Sequence, residues 1–342
     1  MLNCVYRLVA PRIFEPVELE VPLFGDDLVI VRPTHLSICN ADIRYYLGRR
    51  DPEVLARKLP MALIHEGIGQ VINDFSGQLK SGTRVVMLPN NPHETDAYIA
   101  ENYLQSSEFC GSGFDGFMQE FVVLPRSRVL EIPQGIDCNV AAFTELVSVA
   151  VHAVRRFERF SHGRRDVVGV WGDGNVGFIV SLILRILYPD MHIFVVGHNE
   201  SKLGDFTFVN ETLLSDDVDA IPLFDHAFEC CGGTGSMQAI EQIIDYIMPE
   251  GTISLMGVSE NAVPLNTRMV LEKGLRLFGS SRSGREDFIE TVALFETRPE
   301  ILGYLSALVG AMFRVSSVSD ITQAFEADLR KSMGKTIMKW GI

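Results

Sequence analysis

The stretch VVGVWGDGNVGFIV, residues 167–180, constrains the fold of this chain more than any other. Gly172, Gly174 and Gly177 stand as GxGxxG directly after an apolar strand-like run and directly before an apolar run of helical length. Glycines at these three places permit a tight turn, a close approach of backbone to a pyrophosphate, and close packing of the next helix. The first turn of that helix offers unpaired N–H groups and the positive end of its dipole, which suit an anion. Gly172, Gly174, Asn175, Val176 and Gly177 are therefore the expected cofactor contacts. The plainer alternative is a tight strand-to-helix turn with no ligand.

The segments beyond the glycine loop support a bound cofactor. HIFVV, HAFECC, GTISLMGV and LRLFGSS read as strands, and NVGFIVSLILRILY and SMQAIEQIIDYI read as helices between them. Strands alternating with helices imply βαβ units and a doubly wound parallel sheet. The first 140 residues have another character. LVIVRP, GIGQVINDF, GTRVVMLP and GFMQEFVVLP are short β-rich runs divided by Gly and Pro, which predicts a compact β-rich domain. The last stretch, DITQAFEADLRKSMGKTIMKW, predicts an amphipathic helix and a strand. The expected class is α/β, with two domains: 1–146 together with 284–342, and 147–283.

Charge and composition narrow the task. A net charge of −14 argues against nucleic acid or an anionic membrane as the main partner, because both need a positive face. A small-molecule ligand is expected instead. No apolar run approaches the ~20 residues of a membrane span, and the N-terminus lacks the apolar core of a signal peptide. The six cysteines are scattered, without the pattern of a disulfide framework, which fits a reducing cytoplasm.

Dinucleotide-binding sheets that read the ribose 2′-hydroxyl of NAD carry an acid at the end of the second strand. Here HIFVVGHNESKL places Gly197, His198 and Asn199 there, with Lys202 close behind. His198 and Lys202 suit a 2′-phosphate, so NADPH is expected over NADH. The alternatives are that Glu200 takes the acid's role or that His198 is a solvated loop residue.

Four residues offer metal-ligand chemistry: Cys39 in LSICNADIR, the adjacent His65 and Glu66 in LPMALIHEGIG, and Glu145 in AAFTELVSV. Thiolate, imidazole and carboxylate together suit zinc, with one position open in a catalytic site. Singly, Cys39 reads as a small core residue and His65 as a satisfied polar group. Glu145 is harder to dismiss, because a carboxylate buried without a partner is costly.

These segments also carry a resemblance. Cys39 with Asp42, His65-Glu66-Gly67 with Gly69 and Val71, SGTRVVMLP, FDGFMQEFVVLP, TELVSVAVHAV and the Gly172 to Gly177 loop resemble the zinc-dependent medium-chain dehydrogenase/reductases over nearly the whole chain. The resemblance implies a GroES-like catalytic domain and a Rossmann domain. It further implies one catalytic zinc held by Cys39, His65 and Glu145, with Glu66 beside it or entering its coordination. Ala41 stands where the family's alcohol dehydrogenases usually carry Ser or Thr for proton relay, which leaves that role to Glu66, a zinc-bound water or the substrate's own hydroxyls. Only Cys110 falls in the region where many relatives have four cysteines, so no structural zinc is expected.

Arg44, Arg49, Arg50, Arg57 and Lys58 cluster after Cys39, and Arg282 and Arg285 lie in LFGSSRSGREDF. Arginine's planar fork suits phosphate, with Arg44 the strongest candidate by its place beside Cys39, and Arg282, which could serve either substrate or cofactor, and Arg285 after it. For Arg49, Arg50 and Arg57 solvated surface charge is an equal alternative. SICNADIRYYLGRRDPE, LPMALIHE and LEKGLRLFGSSRSGREDF resemble the ribulose-5-phosphate reductases. This implies NADPH-dependent reduction of D-ribulose 5-phosphate to D-ribitol 5-phosphate for CDP-ribitol, used in teichoic acid or capsule. It also implies a homodimer and a functional pairing with a cytidylyltransferase. The rival readings are an NAD-dependent dehydrogenase of an unphosphorylated sugar alcohol and a cofactor-binding sensor without turnover.

Overall fold

In the computed structural model, which describes residues 1–21 and 25–342, the chain divides into two compact units. One comprises Met1–Ser148 and Ser283–Ile342, the other Val149–Arg282. The smaller unit is built on six parallel strands. Their order across the sheet is Glu211–Leu214, His192–Gly197, Val167–Trp171, Phe224–Glu229, Ile247–Leu255 and Arg276–Gly279. The chain starts in the middle, winds outward to one edge, and then crosses to the other, so the direction of winding reverses beside Val167–Trp171. In an open sheet of this kind ligands bind beyond the carboxyl ends of the strands at that reversal. The helix Asn175–Leu187, apolar on all sides, is buried from Gly177 to Leu184, as expected of a helix whose whole circumference is hydrophobic.

The larger unit is β-rich. Its seven-stranded sheet contains the run Val129–Glu131, Arg84–Met87, Glu66–Asp74, Leu28–Ser37, Lys335–Trp340 and Val309–Val315, with Val122–Pro125 also paired to Leu28–Ser37. The C-terminal strand pairs antiparallel with the early one, placing Ile337 opposite Ser37 and Lys339 opposite His35. The end of the chain thus completes a sheet begun near its start. Among the described residues no helix is long and apolar enough to cross a membrane.

Candidate metal centre and dinucleotide groove

Cys39 follows the central strand Leu28–Ser37 and caps the helix Asn40–Tyr46. Its N–H donates to Asp42 Oδ2 at 3.0 Å. The other oxygen of Asp42 accepts the Ile64 N–H at 3.0 Å and lies 3.5 Å from His65 Nδ1. One fully buried carboxylate therefore fixes both the Cys39 turn and the His65 ring, and Nδ1 facing Asp42 leaves Nε2 as the ring nitrogen available to a cation. Ile64, immediately before His65, has a φ of 71°. Such strain in a β-branched residue costs about 1–3 kcal/mol and persists only where surrounding bonds impose it. Here the Ile64 carbonyl accepts the Phe117 N–H at 2.7 Å, and a side chain at Gly116 would meet that same carbonyl at 2.3 Å.

Ligand atoms of Cys39, His65 and Glu66 all lie within 4.8 Å of one another. Glu66 is fully buried. Its Oε1 accepts from Lys335 Nζ at 2.8 Å, while Oε2 is buried with no hydrogen-bond partner. A thiol, an imidazole and a buried carboxylate with one unsatisfied oxygen, gathered this closely, fit a divalent cation such as zinc. Burial opposes charge on His65, but Asp42 and Cys39 outweigh it and raise its pKa well above the ordinary value. A cation taking the ring's lone pair would displace that proton.

Glu145, near the start of the helix Thr144–Phe160, is buried but stands outside this 4.8 Å set. Burial pushes its carboxyl up to about 7, opposed by His65 and reinforced by Glu66, so it shares their electrostatic field. Cys110 also neighbours His65, and burial raises its thiol to about 12, which keeps it protonated. Lys335 carries no signal in its own stretch of sequence. Burial would lower its pKa, yet Glu66 and Cys39 hold it above the usual lysine value.

In the other unit the glycines act as the motif requires. Gly172 has a φ of 128°, and a Cβ there would sit 2.9 Å from the Cys230 carbonyl; one at Gly177 would sit 1.9 Å from Gly172 O. Gly174, the residue capping Asn175–Leu187, has nothing within 4 Å of the same position, so the space over the helix N-terminus is open. It belongs to a groove of about 380 Å³ lined by Gly172, Asp173, Gly174, His198 and Lys202 among others. These features fit a dinucleotide.

The strand end holds a carboxylate that sequence reasoning missed. Asp173, inside the glycine loop, accepts the N–H groups of His198 and Asn199 at 2.8 Å each and lies 3.8 Å from Lys202 Nζ. The His198 ring is held by Ser215 Oγ at 2.6 Å. Glu229 is a second missed residue. Its carboxylate accepts from the backbone of Cys231, Gly232 and Gly257 and from Ser236 Oγ, at 3.0–3.1 Å, which ties together two loops at the carboxyl ends of the strands.

Of the three arginines expected at a phosphate, Arg44 is half-buried on the helix after Cys39. Its pKa is lowered by burial and then by Arg50. Arg285 Nε donates to the Ser127 carbonyl at 3.1 Å, and its backbone N–H to Glu101 at 2.6 Å. Arg282 has a left-handed φ of 58° and is the last residue of the smaller unit.

A β-rich unit with a buried Cys-His-Glu cluster and a parallel-sheet unit with a glycine cradle together define a metal-dependent nicotinamide dehydrogenase. The chain belongs to the zinc-dependent medium-chain dehydrogenase/reductases, within their ribulose-5-phosphate reductase branch. Residues 25–134 match the alcohol dehydrogenase GroES-like domain and residues 179–297 the zinc-binding dehydrogenase domain. The chain is 54% identical to ribulose-5-phosphate reductase of Bacillus spizizenii over 342 residues, covering 100% of both chains. It is 52% identical to ribulose-5-phosphate reductase 1 of Staphylococcus aureus, covering 99% of each. The crystal structure of S. aureus TarJ in complex with NADPH matches with a TM-score of 0.89 at 48% identity, over 100% of both chains.

Proposed function

We propose that this protein is an NADPH-dependent, zinc-assisted reductase that converts D-ribulose 5-phosphate to D-ribitol 5-phosphate. The observation that carries the reading is the buried Cys39–His65–Glu66 cluster with its unsatisfied Glu66 oxygen, in a chain similar end to end to proteins named for that reaction. When bound, zinc supplies a Lewis acid for the ketone oxygen, and NADPH supplies the hydride. Cys39 and His65 hold the metal, His65 being oriented through Nδ1 by Asp42. Glu145, the third ligand of the family pattern, lies in the same field. Glu66, hydrogen-bonded to Lys335, is the acid–base group at the site in place of the hydroxyl that Ala41 lacks.

The glycine loop cradles the cofactor's pyrophosphate through Gly172, Gly174, Asn175, Val176 and Gly177. His198 and Lys202 take the 2′-phosphate. The NADPH complex of the 48% identical TarJ supports this choice. Arg44 would hold the substrate's phosphate end, with Arg282 and Arg285 as further candidates. The product would feed a cytidylyltransferase that makes CDP-ribitol for teichoic acid or capsule in the cytoplasm. A homodimer would pair through an edge of the parallel sheet, such as the strand Arg276–Gly279.

An NAD-dependent dehydrogenase of an unphosphorylated sugar alcohol has one observation in its favour, the Asp173 carboxylate at the strand end. Against it, both backbone N–H groups and Lys202 already engage that carboxylate. Initial rates at the nicotinamide band, with NADPH or NADH and D-ribulose 5-phosphate or D-ribulose, separate the two. Rapid oxidation of NADPH only with the phosphate ester is expected. Turnover of a free polyol with NAD, and none with the ester, would overturn the proposal.

A further inference from the structure

A groove that takes a pyrophosphate is expected to be free of acids, and this one is not. Among the described residues that line it, Asp173 is the one carboxylate and Lys202 the one ammonium. A fixed negative charge inside a phosphate cradle opposes every phosphate that enters, so the carboxylate needs a compensating role.

The two oxygens of Asp173 have different surroundings. Oδ2 accepts the N–H groups of His198 and Asn199 at 2.8 Å each, which anchors the turn after the strand His192–Gly197. Oδ1 lies 3.8 Å from Lys202 Nζ, close enough for an ion pair but too long for a direct hydrogen bond. That oxygen is therefore screened by the ammonium and still able to accept from another donor. The Asp173 side chain is 16% exposed and that of Lys202 24%, so a bound cofactor meets both.

The strand end is shaped around this carboxylate. A Cβ at Gly197 would stand 2.6 Å from the Asp173 Cβ and 2.9 Å from its Oδ2. Glycine ends the strand because the aspartate already fills the space in which a side chain there would lie. In dinucleotide-binding sheets an acid from that strand end reads the ribose 2′-hydroxyl. In this chain an acid reaches the same place from the glycine loop. Lys202 is seated to cover it: its backbone N–H donates to Asn199 Oδ1 at 3.2 Å, on the turn that Asp173 anchors.

We propose that Asp173 is a masked reader of the ribose 2′-hydroxyl, and that Lys202 sets cofactor choice in two ways, by pairing with a 2′-phosphate and by covering the Asp173 oxygen that a 2′-hydroxyl would need. This role rests on the proposed preference for NADPH and names the pair of residues that produces it. A 2′-phosphate would share the ammonium with Asp173, whereas a 2′-hydroxyl would have to draw Oδ1 away from it.

The test is equilibrium binding of NADPH and NADH to the full-length chain, read by nicotinamide fluorescence, for wild type, Lys202→Met, Asp173→Asn and the double variant. Lys202→Met is expected to weaken NADPH roughly 10- to 100-fold, as for a lost contact to a charged group, and to tighten NADH roughly 3- to 10-fold as Oδ1 is uncovered. Asparagine keeps an acceptor for the two N–H groups, so Asp173→Asn should bind NADPH no less tightly than wild type. In the double variant the NADH gain should vanish. If Lys202 only contacted phosphate, Lys202→Met would leave NADH unchanged; if it only supported the fold, both cofactors would weaken alike. Either result, or an NADH gain that persists in the double variant, would overturn the masked acid and leave the preference for NADPH standing. Should Asp173→Asn fail to fold, Lys202→Met and Lys202→Gln decide, since the NADH gain is read in them directly. Wild type binding NADH as tightly as NADPH would overturn the cofactor preference and the masked acid together.

Discussion

Replacing Lys335 by Met should destabilise the larger unit by about 3–5 kcal/mol, and the reason lies in the Glu66 carboxylate it leaves behind. Lys335 is 2% exposed and Glu66 0%, with Nζ and Oε1 2.8 Å apart. At an effective dielectric of about 20, two unit charges at that separation attract by about 6 kcal/mol. Each ion has given up several kcal/mol of hydration to be there, so the intact pair contributes little net stability. Removing one partner abolishes the attraction while the other keeps its desolvation cost, which gives the larger penalty. The double variant Lys335→Met with Glu66→Gln should recover most of the loss, since a neutral pair carries no stranded charge. Urea unfolding of wild type, both single variants and the double variant, each with and without zinc, measures the cycle. A Lys335→Met effect below about 1 kcal/mol, or a double variant as unstable as the two single losses added, would refute the reasoning.

Other consequences are equally open to measurement. Asp42→Ala should weaken zinc binding by about 10- to 100-fold, because His65 loses its orienting carboxylate; competition with a chromogenic chelator reads this, and unchanged affinity would contradict the assigned role. Gly177→Ala places a Cβ 1.9 Å from Gly172 O, so NADPH affinity by fluorescence titration should fall at least about tenfold while zinc content holds. His226 accepts the Thr252 N–H at Nδ1 and faces the Arg164 carbonyl through Nε2, which fixes the neutral ring. Burial lowers its pKa to about 4, with His162 and Arg165 acting the same way and the Arg164 hydrogen bond and Asp225 opposing. Below the ordinary value of about 6.5 the unfolded chain takes a proton that the folded one refuses. Stability of the smaller unit should therefore fall as pH drops from about 6.5 toward 4, by about 2–3 kcal/mol, and His226→Asn should flatten that slope in unfolding measured across the range.

Much of the molecule was written locally. The parallel-sheet unit could be read from its alternating strand and helix runs and from Gly172, Gly174 and Gly177, because periodicity and turn chemistry are properties of a dozen neighbouring residues. Cys39, His65 and Glu66 announced themselves as ligand types in apolar surroundings. The bonds that make them a site were not legible there. Lys335 reaches Glu66 across 269 residues, and it does so only because the last strand of the chain pairs with one of the first. Asp173 stands between two glycines of the loop, yet its carboxylate occupies the end of a different strand, the place where the sequence offers no acid. The basic residues after Cys39 were indistinguishable as letters. Burial against Tyr45 separates Arg50 and Lys58 from the exposed Arg49 and Arg57. Residue types and their spacing determined which elements form and which chemistry is available. Which charge meets which partner was decided by tertiary structure alone, because burial and long-range proximity arise only once distant strands share a sheet.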